Sequence, residues 1–312
     1  MKSPVRCSVV IPTYNCHAYI RQAVASIRMQ NMDDIEIIVI DDGSTDDTPA
    51  WLAREAEEDP NVTAIVLGGA GPSIARNAAI SVAKGRWIAF LDADDLWWPG
   101  KLERQIAHLE QQPEIAFSFT DYLHVDPAGG LHGTCFGFWK PRYASRTTPD
   151  YAPVPDAELE ILSMNVVGTS TVVASARALQ NANGFAARSR SAEDWDLWLR
   201  LAKGGPVACS SSVTMSYLMR PTSVTQNRST RIEAMRQIAA PYAARRDGPG
   251  RLAWRSAMAR IEVAEAERAR LGGARWPAAK SHFRALIHRP DLRTARAGLA
   301  DLAAALGARA GA

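Results

Sequence analysis

Apolar and polar residues alternate along the first 111 residues in two periods, one typical of strands and one typical of helices. Short, largely apolar runs predict strands buried on both faces. Between them, apolar residues recur every three or four positions and predict amphipathic helices. The predicted strands are 7–11, 35–40, 63–67 and 87–91, and the predicted helices are 17–30, 46–58, 73–84 and 99–111. This alternation indicates an α/β fold with a mostly parallel, doubly wound sheet, in which ligands bind beyond the carboxyl ends of the strands.

The second half of the chain has a less regular pattern. It predicts strands at 115–122, 166–175 and 207–219 and a short helix at 194–202. Residues 125–160 are rich in Pro, Gly and Tyr, which indicates long loops suited to facing a substrate. From about Thr230 the sequence is helical, and breaks at 247–250, 272–273 and 290 divide it into three or four helices. We therefore expect an α/β domain over 1–228 and a helical extension over 229–312.

Charge is divided unevenly between these two parts. Apolar residues make up 47% of the 312 residues and charged residues 22%, as in soluble globular proteins. Residues 231–312 carry 16 Arg/Lys and seven Asp/Glu, a net charge of +9, whereas residues 1–230 carry 20 and 26, a net charge of −6. The extension is a basic, Ala- and Arg-rich segment attached to an acidic body.

Cysteine usage and the absence of long apolar runs favour a cytoplasmic location. The four cysteines include no CxxC pair, and Cys7 lies in an apolar strand pattern that predicts a buried, reduced thiol. The N-terminus has only a short apolar run before Pro12, unlike a secretory signal. No apolar run approaches the roughly 20 residues of a membrane helix.

Carboxylates cluster where the predicted strand 87–91 ends. Asp92, Asp94 and Asp95 follow the apolar run directly. Burying an uncompensated carboxylate is costly, and a divalent cation, which prefers hard oxygen ligands, provides one compensation. This strand end is therefore a candidate metal site.

Two other strand ends carry groups suited to a flat, polar ligand. Tyr14 could stack on a base, and Asp41 or Asp42 could accept a hydrogen bond from a base ring N–H or a ribose hydroxyl. Each group also has a simpler interpretation: a turn that ends the first strand, or capping of the following helix by Asp42 and Ser44.

A Gly-rich loop at 68–71 opens the predicted helix 73–84, with Arg76 in its first turn. A helix N-terminus attracts phosphate. However, the loop is neither GxGxxG nor a Walker loop and follows the third strand, which argues against an NAD-type enzyme. Further along, Glu193 and Asp194 either cap the predicted helix 194–202 or supply a general base at the rim of a pocket.

In their order along the chain, these motifs resemble those of family 2 glycosyltransferases of the GT-A type. The resemblance covers roughly residues 5–225 and rests on VVIPTYN (9–15), IVIDDGSTDDT (38–48), GPSIARNAAI (71–80), GRWIAFLDADDLWWPGKLERQ (85–105), AEDWDLWLRL (192–201) and YLMRPTSVT (217–225). It implies a Rossmann-like GT-A fold and a nucleotide-diphospho-sugar donor, with UDP favoured. It also implies transfer with inversion to a hydroxyl of a glycan or lipid-linked acceptor in cell-surface or secreted glycan synthesis.

The resemblance also implies roles for individual residues. The donor-contacting residues would be Pro12, Thr13, Tyr14, Asp41, Asp42, Arg76, Asp92, Asp95 and Arg220. Within the DXD motif, Asp92 would contact the ribose and Asp94 would bind Mg²⁺ or Mn²⁺, with Asp95 sharing these roles. Asp194 would be the catalytic base, with Glu193 beside it. Trp97 and Trp98 would either pack against the sugar or anchor the following helix.

The chain departs from the family pattern near 217–225. Many family members carry a His there as a further metal or phosphate contact, whereas this chain has Arg220, Pro221 and Thr222. Arg220 would hold the diphosphate instead, which calls the complete metal shell and strict metal dependence into question.

Other functions stay open at the level of the sequence. One is a nucleotide-sugar-binding protein without turnover; another is a sugar nucleotidyltransferase, although the Gly-rich, Lys-bearing N-terminal loop of that class is missing. The basic extension either packs on the catalytic domain or a second protomer, or contacts anionic lipid at the inner membrane face. Its dispersed arginines, without a recognition motif, argue against nucleic acid.

Overall fold

A mixed ten-stranded sheet organises the N-terminal part of the chain in the computed structural model, which describes residues 4–141, 143, 151–187, 191–220, 228–245 and 247–310. Within these residues the strand order is β3-β2-β1-β4-β9-β6-β10-β5, with β7 beside β6 and β8 beside β10. The sheet is mostly parallel, as the sequence predicts.

The first four strands form the parallel half of the sheet, at β1 (Cys7–Thr13), β2 (Ile35–Asp41), β3 (Val62–Val66) and β4 (Trp87–Phe90). The helices between and after them are α1 (His17–Arg28), α2 (Thr48–Glu58), α3 (Pro72–Val82) and α4 (Lys101–Gln111). The continuous burial of β2 and β4 follows from their nearly unbroken apolar sequence. These elements agree with the predicted ones to within about two residues at most ends.

The other half of the sheet is mixed because β9 runs antiparallel between β4 and β6. Its elements are β5 (Leu96–Trp97), β6 (Phe117–Val125), β7 (Leu131–Thr134), α5 (Cys135–Trp139), β8 (Ala152–Pro153), α6 (Ala157–Ser163), β9 (Val173–Ser175), α7 (Ala176–Asn181), α8 (Glu193–Gly204) and β10 (Val207–Leu218).

The predicted long loops over 125–160 are wrong for much of that range. The structure has short strands and helices there, from β7 to α6, because brief pairings with β6 and β10 satisfy the backbone. The predicted strand 166–175 is also wrong in its first half, where a 3-10 helix occupies Thr169–Thr171.

An aromatic cluster under the sheet fixes the position of α8. The ring of Trp198 lies 5.8 Å from Phe90 and 5.5 Å from Phe117, and Phe90 meets Phe185 edge-on at 5.5 Å. Trp195, Trp198 and Leu199 are buried, as the helical period predicts. The cluster therefore holds the first turn of α8 at the sheet, which matters for the residues described below.

The structure divides into two compact units. The first contains Met1–Glu158, Val166–Ser189 and Glu193–Pro221, and the second contains Leu159–Asn165, Arg190–Ala192 and Thr222–Ala312. The helices of the second unit are α9 (Arg228–Ala239), a 3-10 helix (Ala240–Ala244), α10 (Gly248–Leu271), α11 (Arg275–His288) and α12 (Leu292–Ala310). The predicted breaks are therefore confirmed. Among the described residues, none of the helices has the length and apolar character to cross a membrane.

All four cysteines are buried and free. Burial raises the pKa of the Cys7 and Cys135 thiols to about 12, which makes them poor nucleophiles at neutral pH. The predicted buried thiol at Cys7 is confirmed.

Candidate active site

Acidic and hydroxyl side chains collect at the carboxyl ends of β1, β2 and β4, which are neighbours in the sheet. The parallel register of β1 and β2 places Thr13 opposite Asp41 at the last pair of residues. Asp92, Asp94 and Asp95 follow β4, on the other side of β1. Parallel strands deliver their ends to one edge, so residues far apart in sequence meet there.

Two buried polar atoms at the β1–β2 end have no hydrogen-bond partner. These are the Oγ1 of Thr13 and the Oδ2 of Asp41. The other carboxylate oxygen of Asp41 accepts from the Oγ of Ser44 at 2.5 Å. Neighbouring strands lie about 4.8 Å apart, so the two residues are neighbours at this end of the sheet. A buried polar group without a partner is costly, which marks this spot as a candidate binding position.

Asp42 is fully engaged within the protein. One of its oxygens accepts from the backbone N–H of Ala70 and the other from that of Gly71, each at 2.7 Å. Asp42 thus ties the Gly-rich loop to the end of β2. Between the two candidates left open by the sequence, Asp41 is the one with a carboxylate oxygen that has no protein partner.

The segment after β1 combines an exposed ring with a fixed turn. Tyr14 is 57% exposed, and Pro12 is half-buried. Asn15 has a φ of 50°, its backbone N–H donates to Ser44, and its side-chain oxygen accepts from the Thr45 N–H at 2.8 Å. The turn is therefore anchored to the end of β2, and the Tyr14 ring stands outside it.

Asp95 is the buried member of the acidic group after β4. It is 2% exposed and accepts from the Oγ of Ser170 at 2.5 Å and from the backbone N–H of Leu218 at 3.2 Å. Burial, with the charges of Asp94 and Asp92, raises its pKa well above the usual range. Its contacts join β4 to β10 and to the 3-10 helix, which is a positioning role.

Asp94 is paired with Arg220. The Nε of Arg220 donates to its Oδ2 at 2.6 Å, and the guanidinium lies over the Tyr19 ring at 5.0 Å. Burial and the charge of Asp92 raise the pKa of Asp94, and Arg220 opposes this. The arginine that replaces the family's His therefore contacts the carboxylate that was expected to bind the metal.

Arg76 joins the acidic group to α8. Its guanidinium donates to Oδ1 of Asp92 at 2.7 Å and to Oε1 of Glu193 at 3.0 Å, and it lies 5.3 Å from the centre of the Phe185 ring. Arg76 is 6% exposed. Burial opposes its charge, but Asp92, Glu193 and Asp194 outweigh that effect and raise its pKa. Three segments separated in sequence thus meet at one guanidinium.

Asp194 lies beside Glu193 in the first turn of α8. Its Oδ2 accepts from the Oγ1 of Thr169 at 3.3 Å, and its Oδ1 accepts from the backbone N–H of Trp195 at 2.7 Å. The second contact joins adjacent residues within the first turn of α8 and is not the N-cap hydrogen bond to the second or third helical N–H.

The two tryptophans after the acidic group differ in environment. Trp97 is 2% exposed, donates from its ring N–H to the carbonyl of Ser170 at 2.7 Å, and packs against the buried amine of Lys101. This residue anchors the chain. Trp98 is 38% exposed and donates to Ser216 at 3.0 Å.

The acidic side chains suit a hard divalent cation as donors. Arg76 uses Oδ1 of Asp92 and Arg220 uses Oδ2 of Asp94, which leaves the second oxygen of each carboxylate for a cation. Within the part of the chain that the structure describes, no three His, Cys, Asp or Glu side chains are arranged to hold a metal ion. A bound cation would therefore take further ligands from its substrate or water.

The hydroxyl residues of the site were not identified from the sequence. Ser170 contacts both Asp95 and the backbone N–H of Asp92, and Thr169 contacts Asp194. The signal was the run Thr169–Ser170–Thr171, whose three hydroxyls interrupt an otherwise apolar segment. Threonine is also common in strands, so this pattern alone did not distinguish a strand from a segment of the site.

Known proteins with similar sequences and structures are glycosyltransferases. The Glycosyl transferase family 2 model matches residues 8–152. A UDP-Glc:alpha-D-GlcNAc-diphosphoundecaprenol beta-1,3-glucosyltransferase, WfaP of Escherichia coli, is 41% identical over 119 residues, which are 37% of this chain and 45% of WfaP. The chain spans less than half the length of the curated relatives it matches.

Two solved structures share the fold. TarS 1–349 of S. aureus, in complex with UDP-GlcNAc, has a TM-score of 0.60 at 18% identity, over 88% of this chain and 89% of that one. The mannosyltransferase PcManGT of Pyrobaculum calidifontis, in complex with GDP-Man and Mn²⁺, has a TM-score of 0.64 at 20% identity, over 97% of this chain and 82% of that one. Residues 8–152 thus match the family 2 glycosyltransferases, and the sheet together with both solved structures confirms the GT-A fold.

Proposed function

We propose that this protein transfers a sugar from a nucleotide-diphospho-sugar, with UDP favoured, to an acceptor hydroxyl with inversion at the anomeric carbon. The observation that supports this most is the convergence of Asp92, Asp94, Arg76 and Glu193 at one sheet edge, beside Asp194. This cluster combines groups that can bind an anionic leaving group with a carboxylate that can accept a proton. The relatives that bind UDP-GlcNAc, GDP-Man or UDP-Glc support the donor class.

In this proposal the nucleoside lies at the β1–β2 end. The unpaired oxygens of Thr13 and Asp41 accept hydrogen bonds from the base or ribose, and Tyr14 stacks on the base, with Pro12 beside it. Asp42 serves by holding the Gly-rich loop. Asp92 reaches the ribose from the neighbouring strand end.

The diphosphate lies between the two arginines. Arg76 and Arg220 are charged and already oriented by Asp92 and Asp94, so an incoming diphosphate meets fixed positive groups. Asp94, with Asp92, would hold Mg²⁺ or Mn²⁺. When bound, such a cation neutralises charge that develops on the leaving diphosphate. Arg220 provides part of that neutralisation in place of the missing His.

Asp194 is the proposed catalytic base. The resemblance assigns the base to Asp194, and Arg76 already occupies one oxygen of the neighbouring Glu193. Asp194 is oriented by Thr169 and by its own helix turn. It would take the proton from the acceptor hydroxyl as the new glycosidic bond forms and the nucleoside diphosphate leaves.

The Asp194→Asn variant tests the base. We expect turnover to fall by about 10²–10⁴-fold, the usual contribution of a general base, while the donor dissociation constant changes by less than about threefold, because no donor contact is lost. Transfer is measured with radiolabelled UDP-sugars and donor binding by calorimetry. Asp196→Asn is the matched control, since Asp196 lies on the same helix but pairs with Arg200 at the half-exposed surface. If Asp194→Asn retained turnover, the assignment would be withdrawn.

The same assays separate the alternative functions. A binding protein without turnover would bind UDP-sugar and yield neither transfer nor hydrolysis. A nucleotidyltransferase would release pyrophosphate from a nucleoside triphosphate and a sugar phosphate. Thermal-shift measurements with a panel of UDP- and GDP-sugars, with and without Mn²⁺, identify the donor and the cation.

We further propose that residues 1–228 form the catalytic domain and residues 229–312 a separate extension, and that the protein acts in the cytoplasm on a glycan or lipid-linked acceptor. The relative that uses a diphosphoundecaprenol-linked substrate supports a lipid-linked acceptor. Expression of residues 1–228 alone tests the division: this fragment should bind donor as the full chain does.

A further inference from the structure

Helix α11 exposes its large apolar side chains and buries its small ones. Trp276, Phe283 and Ile287 are 43%, 40% and 73% exposed. Their spacing of seven and four residues places them on one face of the helix. The buried positions of the same helix are Ala278, Ala279, Ser281, His282 and Ala285. A helix that packs only within its own protein places its large apolar residues inward, so this inverted distribution indicates an external contact.

Helix α12 repeats the arrangement. Leu292, Leu299 and Leu306 are 79%, 59% and 53% exposed and lie seven residues apart, again on one face. The buried face carries Ala305 and the carboxylate of Asp301. Since a second helix also exposes its large apolar residues on one face, the arrangement on α11 is not a matter of chance.

Buried polar contacts hold the inner face between these helices. Asp301 of α12 accepts from Arg275 at 2.8 Å and lies 3.2 Å from the ring of His282 on α11. Gly298 of α12 lies close to the same histidine, so the two helices approach closely there. Rotating either helix to bury its exposed apolar residues would break these buried contacts. The apolar faces are therefore held outward by the packing.

Basic side chains lie among the exposed apolar ones. Lys280 and Arg284 are exposed on α11, and Arg293 and Arg296 are exposed on α12. Over residues 275–310 there are seven Arg/Lys and two Asp, a net charge of +5. Of the two acids, Asp301 is buried and pairs with Arg275, so this arginine adds no net charge to the surface.

The combination of exposed apolar and basic side chains favours a lipid surface over a second copy of the chain as the partner. Two copies of the chain meeting through these faces would bring like charges together, which is unfavourable. An anionic lipid surface instead accepts both features, because apolar side chains enter the headgroup boundary while lysine and arginine bind the lipid charge. Trp276 suits that boundary in particular, since its ring has both an apolar body and a polar N–H.

We propose that the exposed faces of α11 and α12, the α11–α12 face, dock on the surface of an anionic lipid bilayer. The helices would lie on the bilayer without crossing it. The inference does not depend on the proposed sugar transfer, although it would place that reaction beside lipid-linked acceptors. It commits the basic extension to lipid contact over the alternative of a second protomer.

Co-sedimentation of the full chain with vesicles tests the proposal. One set contains phosphatidylcholine alone, and the other also contains about 30 mol% phosphatidylglycerol, both at low salt and at about 0.5 M NaCl, where charges are screened beyond roughly 4 Å. We expect binding to the anionic vesicles at low salt, at least about tenfold weaker binding to the neutral ones, and weakening by salt. No binding, or equal binding to both vesicles, would overturn the proposal.

Two variants separate the charge from the apolar contribution. Lys280→Glu with Arg284→Glu should weaken binding at least about 25-fold, because each basic residue near an anionic surface contributes about fivefold. Ile287→Ser should weaken it about tenfold by removing an inserted side chain. The matched controls are Arg54→Glu and Met29→Ser, at exposed positions of the first unit, which should bind as the unaltered protein does. Equal binding by all variants would refute the assignment.

Two further measurements test whether the variants fold and whether the face binds a second copy of the chain. All the substituted residues are exposed, and unchanged circular dichroism and urea midpoints would verify that the variants fold. Sedimentation velocity reports the oligomeric state: a dimer that Leu299→Ser dissociates would assign the face to a second copy and overturn lipid docking. Because vesicle binding needs no donor, its failure is distinguishable from a failure of donor binding or transfer.

Discussion

Removing Arg76 should destabilise the protein strongly, because its guanidinium is the buried positive charge between Asp92 and Glu193. Arg76 is 6% exposed, and its two ion pairs measure 2.7 and 3.0 Å. The substitution Arg76→Met keeps an apolar stem of similar length and deletes only the charge and its donors. It leaves a nearly buried Glu193 and a partly exposed Asp92 without compensation.

The expected magnitude follows from this burial. Deleting one partner of a buried ion pair usually costs about 3–5 kcal/mol in unfolding free energy, and the partial exposure of Asp92 favours the lower end, about 3 kcal/mol. Arg28→Met is a matched control. Arg28 also contacts two carboxylates, of Glu55 and Asp59, at 2.8 and 3.0 Å, but its side chain is 44% exposed. That variant should lose less than about 1 kcal/mol.

Urea-induced unfolding of both variants, followed by circular dichroism, measures the difference. The double variant Arg76→Met/Glu193→Gln should recover about 1–2 kcal/mol relative to Arg76→Met, because it removes one of the uncompensated charges. The reasoning is refuted if Arg76→Met and Arg28→Met lose the same free energy. It is also refuted if the double variant is less stable than Arg76→Met.

Three further predictions concern single sites. Burial lowers the pKa of Lys101 from 10.5 to about 7, so above pH 7 the unfolded chain binds more protons than the folded one. Relative to Lys101→Met, the unfolding free energy should therefore rise between pH 7 and 8.5 by up to about 1.4 kcal/mol per pH unit, which urea titrations at each pH measure. Gly85→Ala should lower the unfolding free energy by about 3 kcal/mol, because a Cβ there would lie 2.5 Å from the backbone of Ser8. Gly204→Ala, which has open space around it, should raise the unfolding free energy by about 0.5 kcal/mol, and thermal unfolding compares the two variants. Thr13→Val should leave stability unchanged or raise it by about 1 kcal/mol, since the hydroxyl has no partner, yet weaken donor binding about tenfold by calorimetry.

The sequence predicted the parallel half of the sheet because there local signals and packing agree. Each strand from β1 to β4 is an apolar run buried on both faces, and each helix between them has one apolar face. It failed over 125–160, where the described elements from β7 to α6 are two to seven residues long and β8 forms through pairing with the distant strand β10. No local pattern records a partner that lies dozens of residues away.

For the candidate site, the sequence singled out residues that the structure brings together, but not their pairings. It identified Arg76, Asp92 and Glu193 from three separate motifs, and the structure joins them through one guanidinium. It did not distinguish Asp41 from Asp42, because adjacent carboxylates at a strand end look alike until backbone donors are placed. The Gly-rich loop supplies those donors to Asp42 from 28 and 29 residues away.

That attachment of the Gly-rich loop separates two tasks that adjacent aspartates could have shared. Asp42 holds the loop that leads into α3, the helix that carries Arg76. Asp41 and Thr13 each keep one buried polar atom without a protein partner. In the proposed donor site, substitutions at 13 and 41 would therefore change the preferred nucleotide while the arginine and its helix stay in place. Substitutions at 42 would disturb both at once. A programme to alter donor choice by directed evolution should diversify positions 13 and 41 and keep Asp42 constant.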